Sequence, residues 1–467
     1  MSIAAFLIGT LLTTAIGWLA LRLLEGRAPV LRSTERICAG FILGGTLTAF
    51  VQFLLLNAGI VAITRGGALL CQIGIIVALG IALFLHRASL QAYAPVPAPS
   101  PPLPRWAIAA TVALGLWIMM KIAAGTFLLT ALPPFHDDVI NNWNFRGKAL
   151  YYAQELTLTL ERGYGIVEDK AVSSYPPSIP LLKANYAAVA GRWSEPLVNA
   201  MHMLWYACAL LLLYCALRWH TTRGWALLGT YILASVPLYL IHGSVAYADL
   251  WLSIHVLLAL SFLLRALKET DTPRRTALLT LFSFSAGLTV FTKNEGFALY
   301  LPALTLLFAA ALWQMRRKIG LLRPLLTYVT VTASVALPWL IYKWAYALPF
   351  GNAKPVSLLD LSWHEGVLNA IWLNTFFQGN WLLLFPVFLS LLALNWRQVL
   401  RSPLALIIGF LLLVYFFQLF LYLFTILSVE ALYQTGYGRG VIQLLPGIVL
   451  AGVLLLSLQS ATKKMDN

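Results

Sequence analysis

The sequence predicts an all-α fold, a polytopic bundle of transmembrane helices. Of the 467 residues, 60% are hydrophobic and only 10% are charged, against about a quarter charged in an ordinary soluble domain. Apolar runs of about 20 residues, the length a helix needs to cross the hydrocarbon core, recur along the whole chain. The short alternating segments of a transmembrane β-barrel do not occur in it.

Taken in order, the apolar runs place helices at 3–24, 37–62, 67–86 and 106–131, followed by a long polar segment over 133–195. Further helices are expected at 197–217, 224–242, 247–266, 276–292, 296–314, 324–344, 379–394, 403–428 and 441–459, about thirteen in all. The first run has Arg22 and Arg27 after it and no basic residue before it, the reverse of a cleaved signal peptide. It is expected to remain as a helix entered from outside. The stretch APVPAPSPPLP at 94–104 cannot continue a helix and reads as an extended linker. The domain boundaries that follow are an N-terminal three-helix unit at 1–92, a linker at 93–105 and a core at 106–345 with its outer loop at 133–195. Residues 346–467 supply a second outer loop and the last helices. Cys38, Cys71, Cys208 and Cys215 lie inside apolar runs without pairing or metal spacing, as small core residues do.

Short cytoplasmic loops collect lysine and arginine. One alternate set of connections holds twenty of the 32 basic residues, among them Arg274, Arg275, Arg316, Arg317 and Lys463. That side is expected to be cytoplasmic and to include the C-terminus. The net charge of +15 then reflects topology and attraction to anionic headgroups, not nucleic-acid binding. The opposite side receives twelve of the 17 acidic residues, which points to chemistry at the outer face.

The densest polar cluster is 131–148, ALPPFHDDVINNWNFRGK, where Asp137 and Asp138 follow a long apolar run directly. Adjacent carboxylates repel, which suits one to act as a base while its neighbour stays ionised to orient a substrate or bind a cation. The other reading is that one of them caps a helix starting near Val139. His136 is read as a bystander. Residues 139–154 mix aromatic, basic and amide side chains, as expected of a helix lying in the interface. Tyr175-Pro-Pro shapes the rim of a pocket. Asp249, one turn into an apolar run, faces a polar cavity or caps a helix. Lys293 and Glu295 share a tight outer turn ending in Gly296, and Lys121 sits unpartnered inside an apolar run. His364-Glu365 lacks the second histidine of a zinc protease, and no metal-ligand set is assigned. Arg439 stands between Gly438 and Gly440, which would let the backbone approach a ligand.

The acidic pair after a membrane helix, then Trp143, Arg146 and Lys148, then SYPPSIP at 174–180, resembles the GT-C superfamily of polytopic glycosyltransferases. AYADLW at 246–251 and FTKNEG at 291–296 add to the likeness, which is strongest to bacterial members related to protein mannosyltransferases and lipid A aminoarabinose transferases. It covers roughly 106–345. The resemblance implies transfer of a sugar from a polyprenyl-phosphate-linked donor to an envelope glycan, lipid or protein at the periplasmic face of a bacterial inner membrane. An acidic residue of the outer loop would be the general base or, in some members, a metal ligand; a divalent cation is compatible with this reading and not required by it. The departing lipid phosphate gathers negative charge and calls for cations, for which Arg146, Lys148, Lys293 and Arg439 are the candidates, with Asp249 and Glu295 beside them. Two features depart from the family pattern. The acidic loop follows the fourth helix rather than the first, and no large soluble domain follows the last one. The alternatives are a transporter or flippase of lipid-linked sugar, and an O-antigen-type ligase or polymerase.

Overall fold

The computed structural model describes residues 3–86, 104–162, 165–168, 173–317, 319–350 and 361–465. Most of the 93–105 linker and Asp360 lie outside them. Every predicted apolar run is occupied by a helix. Before the acidic pair come α1 (Ile3–Glu25), α2 (Ser33–Asn57), α3 (Arg65–Leu85) and α4 (Arg105–Ala131). The loop that follows holds a π-turn (Val139–Trp143), α5 (Asn144–Ala153), strands β1 (Thr159–Arg162) and β2 (Gly165–Glu168), and α6 (Ser178–Ala190). Next are α7 (Glu195–Asn199), α8 (Met201–Arg218), α9 (Arg223–Ser235), α10 (Pro237–Gly243), α11 (Asp249–Lys268) and α12 (Thr272–Thr289). A second π-turn (Gly296–Tyr300) leads into α13 (Leu301–Met315) and α14 (Leu322–Ala345), and the chain ends with α15 (Val367–Phe376), α16 (Leu384–Leu400), α17 (Leu404–Phe424), α18 (Ser428–Leu432) and α19 (Tyr437–Met465).

Among the described residues ten helical segments are long and apolar enough to span a membrane, and the bent pair α9–α10 makes eleven. The remaining two expected crossings fall on α16, which has 17 residues, and on α12, which buries Ser283, Ser285 and Thr289. The chain is an integral membrane protein. Among the described residues the regular structure is helical apart from a small hairpin, in which Thr159 pairs with Glu168 and Arg162 with Gly165.

The core is built around α11, buried continuously from Asp249 to Ala266 and packed between α12 and α19. The first two helices meet through glycine. A Cβ on Gly17 would lie 1.9 Å from the Gly40 carbonyl oxygen, and one on Gly44 would lie 2.4 Å from that of Thr13; small residues allow this backbone approach. The second helix is fastened to the core by buried polar pairs: Thr46 to His255 at 2.9 Å, Gln52 to Asn185 at 2.9 Å and Glu35 to Arg265 at 2.8 Å.

Residues 178–190 differ from expectation. Read as part of a polar outer loop, they form a helix buried from Ser178 to Val189, because the apolar Ile179, Leu181, Leu182 and Val189 outweigh the scattered Lys183 and Asn185. The α9–α10 break also has a local cause. Pro237 has no N–H and forces Val236 into an extended conformation, with φ −65° and ψ 116°, and the two helices diverge by 75°. In a continuous helix the Leu238 amide would bond Ala234. Instead it meets the Asn380 carbonyl at 3.4 Å, and Lys121 Nζ donates to the freed Ala234 oxygen at 2.7 Å. Lys121 thereby finds a partner inside the bundle.

Candidate active site

Four segments bring charge to one end of the bundle: the turn at 136–143, the start of α11, the 291–296 turn and the start of α19. Asp249, first residue of α11, is the centre. Its Oδ1 accepts from Lys293 Nζ at 2.8 Å and Gln443 Nε2 at 2.7 Å, and its Oδ2 from Arg439 Nε at 3.0 Å. His242 Nδ1 lies 3.9 Å from that same oxygen. Arg439 then reaches across with Nη1 to Asp138 Oδ2 at 2.6 Å, and Lys293 also pairs with Glu295 at 2.6 Å. The result is an alternating chain of charges, Asp138–Arg439–Asp249–Lys293–Glu295. Asp249 is not a helix cap: its carboxylate makes three hydrogen bonds to side chains, and no side-chain cap is present at that terminus. Nor does Asp138 cap the π-turn.

Exposure divides this chain. The side chains of Asp249 and Lys293 are 0% and 2% accessible, whereas Arg439 and Asp138 are 21% and 30% accessible. The Arg439–Asp138 bond is therefore partly accessible and the Asp249–Lys293 bond is sealed. Burial opposes the charge on Lys293, but Asp249 and Glu295 outweigh burial and raise its pKa above the ordinary lysine value. The Tyr247 hydroxyl, over whose ring Arg439 sits at 5.0 Å, is pushed up to about 12 by burial and by Asp138. Burial lowers His136, which stacks on Phe135 at 4.2 Å. Asp137 is exposed and accepts from Asn141 Nδ2 at 2.5 Å. Among the described residues no three His, Cys, Asp or Glu side chains converge to hold a metal ion.

The glycines around Arg439 serve packing. A Cβ on Gly438 would meet Leu238 at 3.1 Å, and one on Gly440 would meet Gln418 at 2.7 Å, so both make room for neighbouring side chains. Gly296 closes the 291–296 turn, where a Cβ would sit 2.0 Å from the Thr289 oxygen.

Arg146 and Lys148 are not brought to the charge chain. Arg146 is buried and donates to the Tyr175 carbonyl at 3.0 Å, and Lys148 is exposed on α5. Trp143 is sealed against Tyr175, with ring centroids 5.7 Å apart, so this face of the predicted interfacial segment turns into the protein. Ser174 beside Tyr175 is gripped by Lys343, which donates to its carbonyl at 2.6 Å, and by Asn294, which donates to its hydroxyl at 3.3 Å. His364 meets Ser362 at 3.3 Å. Sequence reasoning missed Lys343, Gln443 and His242. A lone cation near the end of an apolar run was a usable signal for Lys343, but nothing marked the other two.

Residues 175–354, less than half of the chain, match the family model described as dolichyl-phosphate-mannose-protein mannosyltransferase. That span holds Asp249, Lys293 and Glu295 and excludes Asp138 and Arg439. No curated protein sequence matches the chain. Among solved structures it is similar to the crystal structure of ArnT from Cupriavidus metallidurans bound to undecaprenyl phosphate, with a TM-score of 0.52 and 16% identity over 74% of this chain and 60% of that one. The chain thus spans less than two thirds of that relative's length, and what the two share is architecture. The likeness in architecture gives this chain, a polytopic membrane protein, the helical fold of that relative.

Proposed function

We propose that this chain is a membrane glycosyltransferase that moves a sugar from a polyprenyl-phosphate-linked donor to an envelope acceptor at the periplasmic face of a bacterial inner membrane. The N-terminus then lies outside and the C-terminus in the cytoplasm. The observation that carries the reading is Arg439, a guanidinium held between a sealed carboxylate and an accessible one. A donor phosphate can replace Asp138 on the accessible nitrogens while Asp249 keeps the guanidinium aimed, with Lys293 adding positive charge behind it. Guanidinium suits such bidentate phosphate contact. The matched family and the undecaprenyl phosphate carried by the structural relative support the same donor class.

In the reaction, Asp137 takes the proton of an acceptor hydroxyl as that oxygen attacks the anomeric carbon. The bond from the anomeric carbon to the phosphate oxygen breaks, and its electron pair leaves on the phosphate, where Arg439 stabilises the charge. The products are the glycosylated acceptor and polyprenyl phosphate, with inversion at the anomeric carbon. Asp137 fits the base because it is exposed, whereas Asp138 is neutralised by Arg439.

The test compares envelope lipid and glycan masses in cells carrying wild type, Asp137→Asn or Arg439→Ala, at matched expression and membrane insertion. Loss of one sugar-sized mass from a single component in both variants supports the reading and identifies sugar and acceptor together. A wild-type profile in both overturns it.

A further inference from the structure

Behind the acidic pair lies a second buried polar cluster that takes no part in the charge chain. Lys183 on α6, 0% exposed, donates from Nζ to the side-chain oxygens of Asn144 and of Asn199, the latter at 3.0 Å. Asn144 passes the connection on through its Nδ2 to Glu195 Oε2. The other Glu195 oxygen accepts from Trp193 Nε1 at 2.8 Å. Three separate elements, α5, α6 and α7, therefore converge on one asparagine side chain. A Cβ on Gly147 would lie 3.0 Å from the Trp193 ring and 3.2 Å from Lys183 Cβ, so only glycine lets α5 come this close. A fully buried lysine whose direct partners are amides is an expensive arrangement for mere packing, since an apolar side chain would fill the space without desolvation.

Asn144 has a second duty. Its backbone N–H closes the π-turn on the Val139 carbonyl, and that turn begins immediately after Asp138. A π-turn carries one residue more than the α-helical turn it replaces and often sits at a functional site. Were Asn144 free to shift its bond by one residue, the preceding segment would rotate by about 100°, and residue 138 would swing away from Arg439.

We propose that Lys183 and Glu195 are positioning residues: acting through Asn144, they hold the π-turn in register and so aim residue 138 at Arg439. This rests on reading Asp138 and Arg439 as parts of the active site, but its test does not require turnover.

The test uses the purified full chain in detergent. In an Asp138→Cys/Arg439→Cys pair, a short bis-methanethiosulfonate linker reports whether the two positions face each other. We expect efficient linking in that background and at least about a fivefold loss on adding Asn144→Ala or Lys183→Met, because the register then slips. Glu195→Gln, which keeps an acceptor oxygen, is expected to lose less. Hydrogen exchange over 138–144 should quicken by about tenfold or more in the same variants, while the Asp249–Lys268 helix keeps wild-type protection. Unchanged linking and unchanged exchange over 138–144 in both Asn144→Ala and Lys183→Met overturn the proposal. So does a loss of protection spread equally over the Asp249–Lys268 helix, which marks a general fold contact. Failure of the transferase reading would leave both readouts intact.

Discussion

Arg439 and Asp249 are 190 positions apart in sequence, yet Nε of one lies 3.0 Å from Oδ2 of the other. The helix that brings Asp249 is buried along its length, so its carboxylate cannot be hydrated and must be matched inside the protein. Removing one partner of such a pair leaves charge stranded and costs about 3–5 kcal/mol. Asp249→Asn should therefore lower thermal stability sharply, since it leaves both Lys293 and Arg439 without their shared counter-charge. Adding Lys293→Met should restore part of the loss, because the sealed cation is then gone and Arg439, partly accessible, keeps Asp138 as a partner. Thermal unfolding of the purified single and double variants checks this. A double variant that simply sums the two single losses would show that Lys293 and Asp249 do not depend on each other.

Donor binding and catalysis should separate within the acidic pair. If phosphate competes with Asp138 for Arg439, then Asp138→Asn removes a competitor, and undecaprenyl phosphate should bind a few-fold more tightly than to wild type, on the order of 1 kcal/mol. Arg439→Ala should weaken binding by tenfold or more, the loss of a charge-assisted pair of about 1.5–3 kcal/mol. Asp137→Asn should leave binding within about twofold and abolish product. Weaker lipid binding in Asp138→Asn would mean that Asp138 recruits the donor.

Lys121 should be a determinant of the α9–α10 bend. Its bond to the Ala234 oxygen satisfies a carbonyl that Pro237 leaves without its helical partner, and losing a buried partner costs about 1–3 kcal/mol. Lys121→Met should lower the melting temperature. Pro237→Ala in that background should recover it by letting the Leu238 amide return to Ala234. The recovery should come with lost activity, because α10 carries His242, whose Nδ1 stands 3.9 Å from Asp249. Recovery of activity together with stability would show that the bend itself is dispensable.

The spans were legible because a lipid-facing helix has to be apolar over its whole length, and hydropathy reads that directly. Asp249, Lys293 and Arg439 were legible for the converse reason: an ionisable group inside or beside an apolar run needs a partner. The identity of that partner was not legible, since it depends on how α11, α12 and α19 pack, and no local pattern encodes contacts between such distant positions. Arg146 shows the limit of reading charge alone. It lies in the motif next to the acidic pair, yet the fold turns it to the Tyr175 carbonyl. Lys183 shows the limit of reading polarity. Inside a segment with serines, prolines and an asparagine it passed for a loop residue, although IPLLKANYAAVA at 179–190 is as apolar as many buried helices.

Lys183 also makes the fold sensitive to pH in a predictable direction. Burial lowers its pKa from 10.5 to about 7, only partly opposed by Glu195. The folded state therefore binds fewer protons than the unfolded chain between those two values, and stability rises with pH across that window. Below about pH 7 the full penalty of charging a buried amine is present, and above about 10.5 it is gone. The slope within the window is at most about 1.4 kcal/mol per pH unit from this one group. Apparent Tm of the wild type should climb from pH 7 towards 9.5 relative to Lys183→Met, measured in parallel so that other titrating groups cancel. Parallel curves would mean that Lys183 stays charged in the fold, and the amide oxygens of Asn144 and Asn199 would then have to accept from an ammonium at every pH.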